Sequence, residues 1–228
     1  MDDRDREKRA AAEAAVAEIE AGMVVGLGTG STVAFAIEAL AARCRAGLTI
    51  RAVATSRRTE AIARQSGIEV VDFSMLAAVD LCIDGVDEID PAFRAIKGAG
   101  GAMLREKIVA QAAARMIAIA GSSKAVDRLG AAMLPVEALP FALGFVGGRI
   151  EALGGQPMLR RGVAGIAVTD QGNQIFDCVF ENIEAPEILA SRLSQIPGII
   201  GHGLFIDEID AVYIGRGGDV EKRTRDRG

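Results

Sequence analysis

Apolar positions recur in two rhythms along the chain, and their alternation predicts the fold. Over residues 4–20, Ala12, Val16 and Ile19 return at helical spacing among Glu, Lys and Arg, which predicts an amphipathic helix stopped at Gly22. A short apolar strand follows at 23–25, then a glycine-rich loop at 26–32 and a second apolar helix over 32–43. The pattern continues with strands at 49–53, 68–71 and 81–83, a helix at 59–65, a further helix over 101–114 and a strand at 116–120. Short buried strands alternating with helices predict an α/β fold built on a parallel sheet.

Beyond Gly130 the character changes. Pro135, Pro140 and Pro157 appear, a helix is predicted near 141–153, and alternating strands surround Asp170-Gln171-Gly172-Asn173, a hairpin turn by composition. Residues 187–195 again read as helix. This stretch is expected to form a small α+β domain over 130–204, with 1–129 and 205–228 making the main α/β domain. The segment 204–214 is strand-like and is expected to return to the main sheet. The tail from Arg216 is charged and contains glycine, so it is expected to be mobile.

Composition narrows the function classes. The chain has 228 residues, half of them hydrophobic and a quarter charged, an ordinary globular balance. Its net charge of −5 argues against broad nucleic-acid binding, so an anionic substrate must be held by local groups. Cys44, Cys82 and Cys178 lie far apart and form neither a C-x-x-C pair nor an even disulfide framework, which predicts reduced thiols in a cytosolic protein. A single histidine, His202, excludes a multi-histidine metal site within one chain. The N-terminus is too charged for a secretory signal, and no apolar run approaches the ~20 residues of a membrane span.

Three stretches carry candidate chemistry. The loop Gly26-Leu27-Gly28-Thr29-Gly30-Ser31-Thr32 follows a strand and opens a helix, where backbone N–H groups and the helix dipole favour an anion. It lacks the third glycine and the distal acidic residue of a dinucleotide site, and no Gly-Lys-Ser/Thr follows, so a phosphate monoester suits it better than a dinucleotide or ATP. A tight turn with a capped helix is the alternative.

The second stretch, Asp84-Gly85-Val86-Asp87-Glu88, ends a strand. Its two aspartates can converge on a polyhydroxyl substrate, serve as turn residues, or contribute to a Mg²⁺ site, though no further ligand cluster supports the metal. The third is Lys97-Gly98-Ala99-Gly100-Gly101 followed by Arg105-Glu106-Lys107. A lysine beside a glycine loop offers charge to a developing oxyanion. Glu106 shares a helix face with Ala102, Ala110 and Ala113, so it either enters a desolvated place as a base of raised pKa or belongs to a solvated charged face.

Taken together, GLGTGST, DGVDEID and KGAGGAMLREKIVA, in this order and spacing, resemble type A ribose-5-phosphate isomerase over nearly the whole chain. Further matching segments are Gly121-Ser122-Ser123-Lys124, Leu134-Pro135-Val136-Glu137, Thr169-Asp170-Gln171-Gly172-Asn173, and Pro197-Gly198 before Gly203-Leu204-Phe205. The resemblance implies a Rossmann-like parallel sheet with flanking helices plus a smaller α+β domain. It implies interconversion of D-ribose 5-phosphate and D-ribulose 5-phosphate through an enediolate, in the non-oxidative pentose phosphate pathway, with no metal or organic cofactor. It also implies a cytoplasmic homodimer or homotetramer without nucleic-acid or membrane partners.

By the same resemblance, Thr29, Gly30, Ser31 and Thr32 hold the substrate, and Lys8 helps bind phosphate. Asp84 and Asp87 contact sugar oxygens, with Asp84 assisting ring opening, and Gly85 and Val86 line the substrate between them. Lys97 stabilises the enediolate, Gly98, Ala99 and Gly100 form the loop beside it, Glu106 shuttles the proton between C2 and C1, and Lys124 completes the pocket. Four positions depart from the family pattern: Gly121 stands where aspartate is common, Ala99 replaces a loop glycine, and Arg57 and Arg58 enter a serine/threonine-rich segment. A non-catalytic sugar-phosphate sensor of related fold is the rival reading; the pairing of Glu106 with Lys97 favours the enzyme.

Overall fold

Strands covered on both faces are apolar throughout, and helices that cover them carry one apolar stripe. The structure, a computed structural model, describes residues 2–163 and 165–226 and follows that rule. The chain divides into two compact units: residues 1–86, 105–125 and 207–228 in the first, and 87–104 and 126–206 in the second.

The first unit is built on a six-stranded sheet in the order Asp219–Thr224, Ala211–Arg216, Ala113–Gly121, Val79–Gly85, Val24–Leu27, Arg51–Ala54. All neighbours are parallel except the first pair. Strand Val24–Leu27 is buried along its whole length, as a central strand should be. Helix Asp3–Val16 starts on an Asp2 side chain that accepts from the Asp5 backbone N–H at 2.7 Å. It packs on strands Ala113–Gly121 and Ala211–Arg216 and on helix Ser31–Arg45. Ala11, Ala15, Val16, Leu27, Ile37, Leu40, Ile83, Ile117 and Ile119 form one core here. Full burial of each larger aliphatic side chain contributes roughly 1.5–3 kcal/mol relative to exposure.

The second unit holds a four-stranded antiparallel sheet, ordered Ile199–His202, Leu134–Ala138, Gln174–Val179, Gln156–Leu159. Helices Leu143–Ala152 and Pro186–Ser194 pack on its outer strands. A short three-stranded sheet joins Glu88–Ile89, Ala95–Ile96 and Leu204–Phe205. The predicted turn is present: the Gly172 N–H donates to the Thr169 carbonyl at 3.0 Å, with Gly172 at φ 86°. Buried Glu137 buttresses it, accepting from Thr169 Oγ1 at 2.8 Å and Asn173 Nδ2 at 2.9 Å.

The architecture is the α/β fold with a smaller α+β part that the pattern predicts, with four differences of detail. The tail is not a loose end: Asp219–Thr224 is an edge strand, reached through Gly217 and Gly218, both at positive φ, a two-residue hairpin loop that glycine allows. Its charge hides it from a search for apolar alternation. The segment 68–71 makes only an isolated bridge, Ala52 to Val70, because it lies outside strand Arg51–Ala54 at the sheet edge. The stretch 204–214 is two strands, and only Ala211–Arg216 joins the large sheet. Finally, residues 87–104 group with the second unit rather than the first, since Ala95–Ile96 pairs with Leu204–Phe205 on one side and with Glu88–Ile89 on the other.

Cys82 and Cys178 are buried and Cys44 is half-buried. Burial, aided by the neighbouring Asp177 charge, pushes the Cys178 thiol up to about 12, leaving a thiolate fraction on the order of 10⁻⁴ at pH 8. Ellman titration of the native protein is therefore expected to show one slow thiol, Cys44, and all three after denaturation. Fast native reaction of more than one would contradict this packing.

No helix among the described residues is long and apolar enough to cross a membrane.

Candidate functional site

In the first unit every strand of the parallel set ends on the same edge, where ligands of such sheets gather. Strand Val24–Leu27 has Arg51–Ala54 on one side and Val79–Gly85 on the other. The chain therefore reverses its winding direction between Val24–Leu27 and Val79–Gly85, and the loops beyond Leu27 and Gly85 flank that switch point.

Register brings the two loops together. Gly26 lies opposite Cys82 and Leu27 opposite Ile83, so the next pair is Gly28 and Asp84. A β-carbon on Gly28 would fall inside the Asp84 carboxylate. Only glycine leaves room for that side chain, which is wholly buried. Asp84 Oδ1 accepts from the Thr29 N–H at 3.0 Å and from the Gly85 N–H at 2.7 Å. The aspartate thus ties the glycine loop to its own strand end.

Glu106 stands in the first turn of helix Met103–Ala112 and is 2% exposed. Three residues later, Val109 Cγ1 would lie 2.7 Å from a β-carbon at Gly26. Gly26 and Gly28 point to the same side of the sheet, and residues three apart share a helix face. Glu106 therefore sits on the helix face that covers the sheet side bearing Asp84. This answers the choice left by periodicity: the face is buried, not solvated. The next residue, Lys107, turns elsewhere, with Nζ 3.7 Å from a Glu208 carboxylate oxygen. Burial lowers the Lys107 pKa, with Glu208 opposing the shift.

Of the loop residues, Thr29 is half-buried, Gly30 and Ser31 are exposed, and Thr32 is half-buried at the start of helix Ser31–Arg45. Gly30 is the N-cap at φ 121°, a conformation open to glycine. Val86 is buried at the end of the unit's second loop. Lys8 and Lys124 are half-buried; Lys8 Nζ lies 3.3 Å from Asp5 Oδ1, and Lys124 ends the short turn Ser122–Lys124.

One part of this unit's site has only a weak sequence signal. Thr29 Oγ1 lies 3.0 Å from both Thr55 Oγ1 and Ser56 Oγ and 3.3 Å from Thr59 Oγ1. Thr59 Oγ1 in turn donates to the Gly28 carbonyl at 2.8 Å. The buried hydroxyls fix the loop from beneath. Ser and Thr clustering after strand Arg51–Ala54 is the one hint available from sequence.

The second unit holds Asp87, Lys97, Gly98, Ala99 and Gly100. Asp87 Oδ2 accepts from the Ala99 N–H at 3.0 Å, and its own N–H donates to the Ile96 carbonyl. Lys97 is 2% exposed, its backbone N–H donates to Gly203 O at 2.9 Å, and its Nζ stands 5.3 Å from the Phe205 ring centroid. Ala99 and Gly100 are exposed. Arg160, which no motif marks, donates to the Gly98 carbonyl at 3.1 Å and the Ala99 carbonyl at 3.2 Å while bound to Asp177. The remaining acidic residues of the strand-end motif are structural. Glu88 accepts from the Gly130 and Ala132 N–H groups, and Asp90 from Ala92 and Arg94. His202 is also structural: the Leu204 N–H donates to Nδ1, so Nε2 carries the proton toward Ser194 Oγ at 3.0 Å.

Among the described residues no cluster of three or more His, Cys, Asp or Glu is arranged to hold a metal ion.

Comparison with known proteins places the whole chain among relatives. The family profile of ribose 5-phosphate isomerase A (phosphoriboisomerase A) matches residues 51–219. The chain is 52% identical to ribose-5-phosphate isomerase A of Sphingopyxis alaskensis over 96% of each chain. It is 49% identical to that of a Roseiflexus species over 97% of each. Among solved structures, ribose 5-phosphate isomerase A of Methanocaldococcus jannaschii superposes with a TM-score of 0.92 at 35% identity, covering 96% of this chain and 98% of the other. The Neisseria gonorrhoeae protein gives 0.91 at 38%, covering 97% of each. With a buried strand-end aspartate locked to a glycine loop, a buried carboxylate on the covering helix and these relatives, the chain belongs to the ribose-5-phosphate isomerase A family.

Proposed function

We propose that this chain interconverts D-ribose 5-phosphate and D-ribulose 5-phosphate through an enediolate. The observation that supports this most is the burial of Glu106 and Asp84 on one side of the sheet, at the strand ends, beside a loop whose Gly30 and Ser31 remain open to solvent. Aldose–ketose exchange needs a base beside a carbon-bound proton, and it needs donors where oxygen becomes negative.

In this reading the phosphate rests on the 29–32 loop and Lys8, which anchors C1 and C2 remotely from the reacting bonds. Asp84 assists ring opening. Glu106 removes the C2 proton as the electron pair moves onto the C1 oxygen. Lys97, assigned by the family resemblance, stabilises the resulting enediolate, and Asp87 and Lys124 hold sugar oxygens. Glu106 then returns its proton to C1 while the O2 hydroxyl proton passes to O1, giving the ketose. Atoms and charge balance with no other reactant.

Incubation with ribose 5-phosphate is expected to produce ketose, and EDTA is expected to leave the rate unchanged. Binding without turnover would establish a sensor instead. Activity lost to EDTA and restored by Mg²⁺ would assign Asp84 and Asp87 to a metal.

A further inference from the structure

The short turn Ser122–Lys124 begins at Gly121, whose side chain supplies no cap. The missing cap comes from another element. Glu7, on helix Asp3–Val16, accepts from the Ser122 N–H at 2.9 Å and from the Ser122 hydroxyl at 2.8 Å through the same oxygen, Oε2. Its other oxygen accepts from the Gly217 N–H at 3.2 Å. The helix is seated closely there, since a β-carbon at Gly215 would collide with the Glu7 backbone carbonyl.

Gly121 has ordinary extended geometry, φ −80° and ψ 162°, so its backbone does not require glycine. Space does. A β-carbon at 121 would stand 3.3 Å from Glu7 Oε2 and 3.9 Å from Lys8 Cγ. A carboxylate grown from position 121 would meet the Glu7 carboxylate, and the two like charges would compete for the same N–H.

We propose that Glu7 is a positioning residue that clamps the Ser122–Lys124 turn to the helix carrying Lys8, holding Lys8 and Lys124 in register for a sugar phosphate. The bonds from the Ser122 N–H, the Ser122 hydroxyl and the Gly217 N–H, in that order, hold its carboxyl below the usual range, so it is ionised at neutral pH. The inference rests on the isomerase reading and names the group on which that reading's two lysines depend. It also gives the departure at Gly121 a physical reason: in this chain the capping carboxylate comes from helix Asp3–Val16, and a side chain at 121 would crowd it.

The test is a cycle of Glu7→Ala, Gly121→Asp and the double variant. Each is assayed with ribose 5-phosphate, titrated with inorganic phosphate, and followed by amide exchange at Ser122. Each single variant is expected to raise KM and weaken phosphate binding on the order of tenfold, the scale of a charge-assisted bond, with kcat nearly unchanged. Glu7→Ala also loses Ser122 protection. The double variant is expected to recover KM and protection, because the introduced carboxylate then caps the turn without a rival.

Unchanged KM and phosphate affinity in folded Glu7→Ala, or additive damage in the double variant, would overturn the clamp. If Glu7→Ala does not fold, Glu7→Gln, which keeps an acceptor oxygen but not the charge, is expected to give an intermediate KM; a wild-type KM there would overturn it equally. Wild-type protein that fails to isomerise ribose 5-phosphate defeats the isomerase reading alone, since phosphate affinity and Ser122 exchange still decide on the clamp.

Discussion

Glu106→Gln is expected to fold, bind substrate with near-normal affinity and lose about 10²–10⁴-fold in kcat, the usual worth of a positioned general base. The amide matches the carboxylate in shape, so the packing of helix Met103–Ala112 against Gly26 through Val109 should persist. What it cannot do is accept the C2 proton. At about 1.4 kcal/mol per factor of ten, the loss corresponds to roughly 3–5 kcal/mol of transition-state stabilisation. Steady-state kinetics, with circular dichroism and thermal melting as controls for folding, separate the two contributions. Because the interaction is made chiefly in the transition state, kcat and kcat/KM should fall together. Turnover within a few-fold of wild type would remove Glu106 from the proton path.

Gly28→Ala should be as damaging to activity and also costly to the fold. Its methyl group must take the place now held by the Asp84 carboxylate. Either the aspartate leaves the Thr29 and Gly85 N–H groups, or the strand end moves. Overpacking of this kind costs about 1–3 kcal/mol, which for a chain of this size lowers Tm by several degrees. A displacement near 1 Å at the loop is enough for a loss on the order of 10² in kcat/KM. Melting and kinetics on one preparation test both parts, and a variant with wild-type Tm and turnover would mean that Asp84 has room the structure does not show.

The parallel sheet was legible because its central strands are apolar runs between helical stripes, and the three site stretches because glycine and charge punctuate those runs. The sequence left the orientation of Glu106 open, since flanking Arg105 and Lys107 disguise a buried face. It is the pairing of Val109 with Gly26, a contact distant in sequence, that decides the matter. Arg160 and Glu7 were illegible for the same reason: each acts through carbonyls or N–H groups of a segment far along the chain, and no periodicity marks such a bond. The terminal strand was missed because its alternation is between charged side chains.

That terminal strand has a consequence for self-association. The row inside it, Ala211–Arg216, is buried and apolar up to Ile214 and would be an adhesive template if it were outermost. Covered by Asp219–Thr224, the rim presents Glu221, Lys222 and Arg223, with Lys222 also lying over the Tyr213 ring and Glu221 paired to Arg216. At the opposite rim, the Val71 N–H and the Glu69 carbonyl take up the hydrogen bonds that Ala52 would otherwise offer to a stranger. The sheet thus guards both of its margins against edge-to-edge aggregation, one with charge and one with a borrowed stretch of backbone.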